Sequence, residues 1–193
     1  MTAAAALADR KLSLRRECRA RLHGILRPDL KTNWDQKIAQ FLEQLLPIAG
    51  GQAAAFVGLH DEPALAEPLL KMKSWSWGWP KVVGDNLHFY NAKQTADFVV
   101  GPYGLQEPDA RMAKEVALQD CAVVCVPGLA FDRRGARLGR GKGYYDRALQ
   151  HYGGTKVGVA YSVQIENQDL PFEPHDVRMD YVVTENFILK PKG

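Results

Sequence analysis

The sequence predicts an α/β fold: a three-layer sandwich with a mostly parallel, Rossmann-like central sheet flanked by helices. Three observations carry this. The runs AAAFVGL (53–59), CAVVCVPG (121–128) and KVGVAY (156–161) are apolar at successive positions, as in strands covered on both faces. Segments of helical periodicity stand among these runs. Gly and Pro punctuate the joins. A chain of 193 residues without linker, repeat or low-complexity tract reads as one domain, 1–193.

The elements follow in order. Residues 7–27 form a helix, because Leu14, Cys18, Leu22 and Ile25 fall on one apolar stripe. Lys11 and Arg15, four apart, leave that helix in the same direction. A second helix spans about 33–46, capped by Asp29 or Asn33 and stopped by Pro47 and Gly50-Gly51. The strand at 53–59 runs into the polar turn His60-Asp61-Glu62, and Pro63 starts a helix that reaches about residue 73. Residues 81–83 and 87–90 suit a hairpin around Gly84-Asp85-Asn86. Trp75, Trp77 and Trp79 alternate, so a strand would turn all three to one face, packed in the core or at a sheet edge, with an exposed partner surface as the alternative. Residues 98–100 form a short strand and 101–111 a loop. After the strand at 121–128 come a helix at 144–152, a strand at 156–161 and a last strand at 180–184.

Composition excludes several classes. With 46% hydrophobic residues the chain can build a core, so disordered and collagen-like classes are out. The three cysteines, Cys18, Cys121 and Cys125, cannot all pair, and the spacing of the last two fits neither a redox CxxC nor a zinc knuckle. A reducing, cytoplasmic location is expected, with a trimmed organellar leader as the alternative. No apolar run approaches ~18 residues, so no membrane span is expected. The net charge of +3 hides an uneven distribution. Residues 9–31 hold eight Lys and Arg against three acids, and 132–147 hold six against two. The remainder is therefore acidic. The two basic segments need an anion.

The segment VPGLAFDRRGARLGRGKGYYDR (126–147) names that anion's class. Gly135, Gly139, Gly141 and Gly143 allow backbone N–H groups close to phosphate oxygens. Arg137, Arg140 and Lys142 alternate with them and add full charges. The start of the following helix would add partial positive charge. Known nucleotide signatures do not fit. A Walker A loop would need glycine where Ala136 stands and Ser or Thr where Gly143 stands; a GxGxxG from Gly139 would need glycine at Tyr144. Asp146, just past the loop, is a candidate Mg²⁺ ligand.

This segment resembles the 5-formyltetrahydrofolate cyclo-ligase family. The likeness extends to Lys11 and Arg15, to AAFVGLHDE ending at Glu62, to GPYGLQEP (101–108) and to PHDVRMDYVVTE (174–185). It implies ATP- and Mg²⁺-dependent closure of 5-formyltetrahydrofolate to 5,10-methenyltetrahydrofolate, with release of ADP and phosphate. It implies Lys142 and Arg140 as catalytic residues. ATP would meet Lys11, Arg15, Arg137, Leu138, Gly139, Arg140, Gly141, Lys142, Gly143, Tyr144 and Tyr145. The folate would meet Val57, Glu62, Tyr103 and the stretch from Arg140 to Tyr144. Mg²⁺ would sit on Asp146 and Asp180. His175 and Asp176 also match the pattern, His175 as a residue that fixes loop structure. A monomer acting on small molecules is expected. Two readings compete: a family member that keeps ATP and Mg²⁺ but acts on another small molecule or only binds folate, and nucleic-acid binding by the basic segments, which carry no RRM or KH pattern.

Overall fold

The computed structural model describes residues 2–47, 49–101 and 104–191. Two helices open the chain, α1 (Ala3–Ile25) and α2 (Pro28–Leu45). The Thr2 hydroxyl caps α1 by accepting the Ala5 N–H at 3.3 Å. Pro28 ends one helix and begins the next, since it is preorganised for the first helical turn. That is why α2 starts five residues before the expected Asn33. Its N-cap is Arg27, without a side-chain hydrogen bond, so neither Asp29 nor Asn33 serves as the cap.

Thirteen strands follow among the described residues: β1 (Gly51–Ala54), β2 (Trp75–Val83), β3 (Asn86–Asn91), β4 (Phe98–Val100), β5 (Gln106–Pro108), β6 (Glu115–Val116), β7 (Val123–Pro127), β8 (Ala130–Asp132), β9 (Arg137–Leu138), β10 (Thr155–Val159), β11 (Ile165–Glu166), β12 (Tyr181–Val183) and β13 (Ile188–Leu189). Helices α3 (Ala66–Lys71) and α4 (Tyr144–Leu149) lie among them. The main sheet has eight strands in the order β13-β12-β10-β7-β1-β2-β3-β6. Its centre, β12 to β2, is parallel, and antiparallel partners finish both edges.

Strand alternation produces the three layers. Val123, Cys125, Val157, Val159 and Val183 pack with Cys18, Leu22, Ile38, Leu42, Leu65 and Leu69 of the α1–α3 layer. Val124, Val126 and Val182 face the other way, against Phe131, Leu149 and Tyr152. Trp75, Trp77 and Trp79 all turn into the first layer and are buried, which explains their period of two.

Among themselves the parallel strands follow the order 2-1-3-4-5, counted as β1, β2, β7, β10 and β12. The chain therefore winds one way from β1 and the other way from β7. A right-handed crossover places the connecting helices on opposite faces, α3 on one and α4 on the other. Between β1 and β7 the loops diverge and leave a crevice at the strands' carboxyl ends.

Several boundaries differ from the sequence reading, each for a local reason. Strand β1 is shorter than 53–59, because beyond Ala55, whose N–H still bonds the Gly78 carbonyl at 2.9 Å, the chain leaves the sheet over the crevice. The helix expected from Pro63 starts only at Ala66. The loop 101–111 contains β5, which pairs with β4. Helix α4 stops at Leu149, three residues early, and its six residues supply little dipole. The glycine-rich segment does not open as a loop. It opens as the β8–β9 hairpin, which also takes β11.

Candidate active site at the β1–β7 crevice

A cavity of about 470 Å³ occupies this crevice. Its walls come from α1, from the loop after β1, from the glycine-rich segment after β7 and from the segment before β12. Of the residues expected to meet ligands, Lys11, Arg15, Val57, Glu62, Arg137, Leu138, Gly139, Arg140, Gly141, Lys142, Gly143, Tyr144, Tyr145 and Asp146 all line it. Tyr103 lies outside the described residues.

The hairpin that aims the glycine-rich segment is tied by buried Asp132. Its Oδ1 accepts from the backbone of Arg134 at 2.9 Å and Ala136 at 2.8 Å, and its Oδ2 from Leu170 at 2.9 Å. This fixes Arg137 at the cavity floor. The chain then turns through Gly141 and Gly143, at φ +100° and +69°, a conformation that side chains with a Cβ rarely adopt. Arg147 closes the turn by donating to the Lys142 carbonyl and, from Nε at 3.1 Å, to the Asp85 carbonyl of the β2–β3 turn. The two basic segments meet here: Arg15 Nε donates to the Gly139 carbonyl at 3.0 Å, across more than a hundred residues of chain.

The cavity's charges are largely paired. Lys11 is buried, with Nζ 2.6 Å from both Glu173 and Asp176. Burial pulls its pKa down, but the bonds to these two carboxylates outweigh it, and the net shift is upward. Arg137 donates to the Pro127 carbonyl at 3.2 Å and to Asp146 at 2.5 Å. Arg140 reaches back to the loop after β1, at 2.5 Å from Asp61 and 2.8 Å from Glu62. Glu62 is 6% exposed and also accepts the Leu59 N–H at 3.1 Å. Burial raises its pKa against the opposing pull of Arg140 and that N–H. Lys142 is different. It is exposed, and its ammonium makes no hydrogen bond or ion pair among the described residues.

One expected ligand is elsewhere. Asp180 precedes β12, beside Lys156, whose backbone N–H and ammonium it meets at 2.8 and 3.0 Å. On β10, Lys156 is three residues short of Val159, which pairs with Pro127 at the cavity end. Asp180 thus lies about 10 Å down the strands and two strands across. It does not share a site with Asp146, and this corrects the metal pair expected from the sequence.

The structure brings other acids to the cavity in its place. Asp176 lies four residues before Asp180 in the same PHDVRMD stretch, and Glu173 precedes it. Glu173, His175 and Asp176 offer ligand atoms within 4.8 Å of one another. Asp61 was also missed. A sequence signal existed for Asp61 and Asp176, since each adjoins a singled-out motif position. Glu173 had none.

Comparison with known proteins agrees with this geometry. The family model of the 5-formyltetrahydrofolate cyclo-ligase family matches residues 8–185. A 5-formyltetrahydrofolate cyclo-ligase of Mycolicibacterium smegmatis is 44% identical over 152 residues, 72% of this chain and 76% of that protein. One of Escherichia coli K12 is 36% identical over 102 residues, 51% of this chain and 56% of that protein. The NMR structure of Aquifex aeolicus 5,10-methenyltetrahydrofolate synthetase superposes with a TM-score of 0.82 at 32% identity, covering 95% of this chain and 93% of that one. Among the described residues no helix is long and apolar enough to cross a membrane. From the crevice at the switch point to the matched length of chain, these observations agree: the chain belongs to the 5-formyltetrahydrofolate cyclo-ligase family.

Proposed function

We propose that the chain uses ATP and Mg²⁺ to close 5-formyltetrahydrofolate to 5,10-methenyltetrahydrofolate through a phosphorylated formyl intermediate. The observation that carries this is the convergence of Lys11, Arg15, Arg137, Arg140 and Lys142 on one cavity that also holds buried Glu62. Five cations suit a polyphosphate. One buried carboxylate suits the amino and N–H edge of a pterin.

The formyl oxygen is a poor leaving group. In the first step it attacks the γ-phosphorus; the O–P bond forms, the bond to the β-phosphate oxygen breaks, and ADP leaves. In the second step the N10 lone pair attacks the formyl carbon, the C–O bond breaks, phosphate departs and N10 loses its proton. Phosphoryl transfer depends mainly on positioning and charge neutralisation. Lys142, with no protein partner to give up, is suited to the transferred phosphoryl. Arg137, Arg15 and Lys11 offset the remaining charge. Arg140 bridges both halves: it bonds Glu62, and when the pterin takes that carboxylate its guanidinium turns to phosphate oxygens. Val57 and Tyr144 provide apolar walls for the folate, with Tyr103 as the expected stacking ring.

The donor set fits a hard divalent cation. Asp146, Glu173 and Asp176 are carboxylates on the cavity wall, now held by Arg137 and Lys11. Asp146, and apart from it the Glu173–Asp176 cluster, would be the carboxylates to hold such an ion, and Lys11 and Arg137 are the cations beside them that would face phosphate. When bound, Mg²⁺ supplies charge neutralisation between the phosphates.

The test is direct. Protein, Mg²⁺, ATP and 5-formyltetrahydrofolate are mixed, and the methenyl product is followed by its near-ultraviolet absorbance. ATP-dependent product is expected. Its absence under every metal condition overturns the proposal, and tight, salt-sensitive oligonucleotide binding instead would favour a nucleic-acid role.

A further inference from the structure

Tyr145 stands in the first turn of α4 and, with Tyr144 and Asp146, lines the cavity. Its hydroxyl is shut off from solvent, yet it has no hydrogen-bond partner among the described residues. Buried hydroxyls in folded proteins nearly always find a partner, and leaving one without is destabilising. Neighbouring Tyr152, also buried, follows the rule: its hydroxyl donates to the Cys121 carbonyl at 3.0 Å. Tyr161 follows it too, donating to Asp35 at 2.8 Å. Tyr145 is the exception, and it is the one of the three that lines the cavity.

Its surroundings say which part of the cavity it serves. The Arg137 guanidinium lies 5.8 Å from the centre of its ring, on the side expected to meet the nucleotide. Arg137 itself keeps a buried Nε without a partner. Burial first, and the charge of Glu62 second, push the phenol's pKa up, with Arg137 opposing. The hydroxyl thus stays protonated at neutral pH and can act as a donor. Glu62, on the folate side, is close enough to act on it.

We propose that Tyr145 is a catalytic hydrogen-bond donor, unpartnered among the described residues, whose O–H meets the substrate oxygen at the junction of the two ligands. On the reading given above, that atom is the formyl oxygen as the C–O bond breaks and it leaves with phosphate. A neutral donor fits this position. It stabilises the growing negative charge on oxygen, whereas a further full cation would oppose the positive charge that develops on the formamide nitrogen. The inference rests on the proposed cyclisation.

The test is Tyr145→Phe, which removes only the hydroxyl. Because that hydroxyl has no partner among the described residues, the variant should melt at the same temperature as the wild type or higher. Its kcat for methenyl formation should fall by about tenfold to a hundredfold, with the KM for ATP changed less than about threefold. A lower melting temperature would show that the hydroxyl already has a partner in the folded protein, and would overturn the inference. So would an unchanged kcat in a variant of unchanged stability. If the wild type makes no methenyl product, the proposed function falls and this inference with it; if only the variant result fails, the function stands and Tyr145 is packing.

Discussion

Asp146 and Asp180 look alike in isolation. Each is an aspartate beside a single cation, at 2.5 Å from Arg137 and 3.0 Å from Lys156 respectively. They differ in which end of the parallel strands they occupy. Asp146 follows β7 and reaches the carboxyl end, where the diverging loops leave a crevice. Asp180 precedes β12 and so stays at the amino end, where its carboxylate ties down the start of β10. The difference teaches that in a doubly wound sheet a residue's place before or after its strand decides whether it can reach the site. Asp176 marks the rule's reach: it also precedes β12, but four residues of loop are enough to bring it back to Lys11 at the cavity.

The largest expected effect is at the carboxyl end. Lys142→Ala should lose about a hundredfold or more in kcat, the scale of removing a charge-stabilising donor from a transition state. Its melting temperature should not change, since the side chain is exposed and unpaired among the described residues. A variant that instead unfolds would make the loop structural and weaken the contrast with the amino end.

Glu62→Ala comes next. Binding of 5-formyltetrahydrofolate should weaken by at least about tenfold, on the scale of a buried charged hydrogen bond. ATP binding should be nearly unaffected, because Arg140 keeps Asp61. Equal losses in two separate titrations would dissolve the division of the cavity into halves.

The direct contrast is between two matched variants. Asp146→Asn should raise the Mg²⁺ concentration needed for half-maximal rate by about tenfold, the scale seen when metal-site groups are altered. Asp180→Asn should leave the Mg²⁺ profile unaltered and kcat within about twofold, and lower stability by less than about 1 kcal/mol, as expected for an exposed pair. A shifted Mg²⁺ profile in the second variant would break the comparison.

The smallest effect is on stability against pH. The folded-state pKa of Lys11 is raised, so its contribution is complete below the ordinary lysine value of 10.5 and is lost as pH rises through the higher folded value. Wild-type melting temperature should therefore fall more steeply above that pH than that of Lys11→Met. Parallel curves would mean that the bonds to Glu173 and Asp176 add nothing.

Much of this was legible in the sequence. Buried parallel strands announce themselves as short apolar runs, and CAVVCVPG became β7 almost as written. The Trp alternation put all three side chains on one face, because a strand has period two; that this face is core comes from the packing. The cation set was legible because each member stands within a long motif. Pairing was not. That Arg140 lies on Asp61 and Glu62 depends on the loop after β1 folding over the crevice, and about 80 residues separate the partners. Glu173 was invisible for the same reason, and Asp180 was misplaced because a motif records order along the chain and says nothing about sheet ends. The unpartnered Tyr145 hydroxyl could be seen only with the packing in hand.

The most direct test of the account's centre measures two products in one reaction. With the protein, Mg²⁺, ATP and 5-formyltetrahydrofolate together, methenyl product and ADP should appear in equal amounts, and neither should appear when the other substrate is left out. Methenyl formation without ATP, or ADP release that does not need the folate, would contradict a single cavity in which the two basic segments and Glu62 hold both ligands for one coupled reaction.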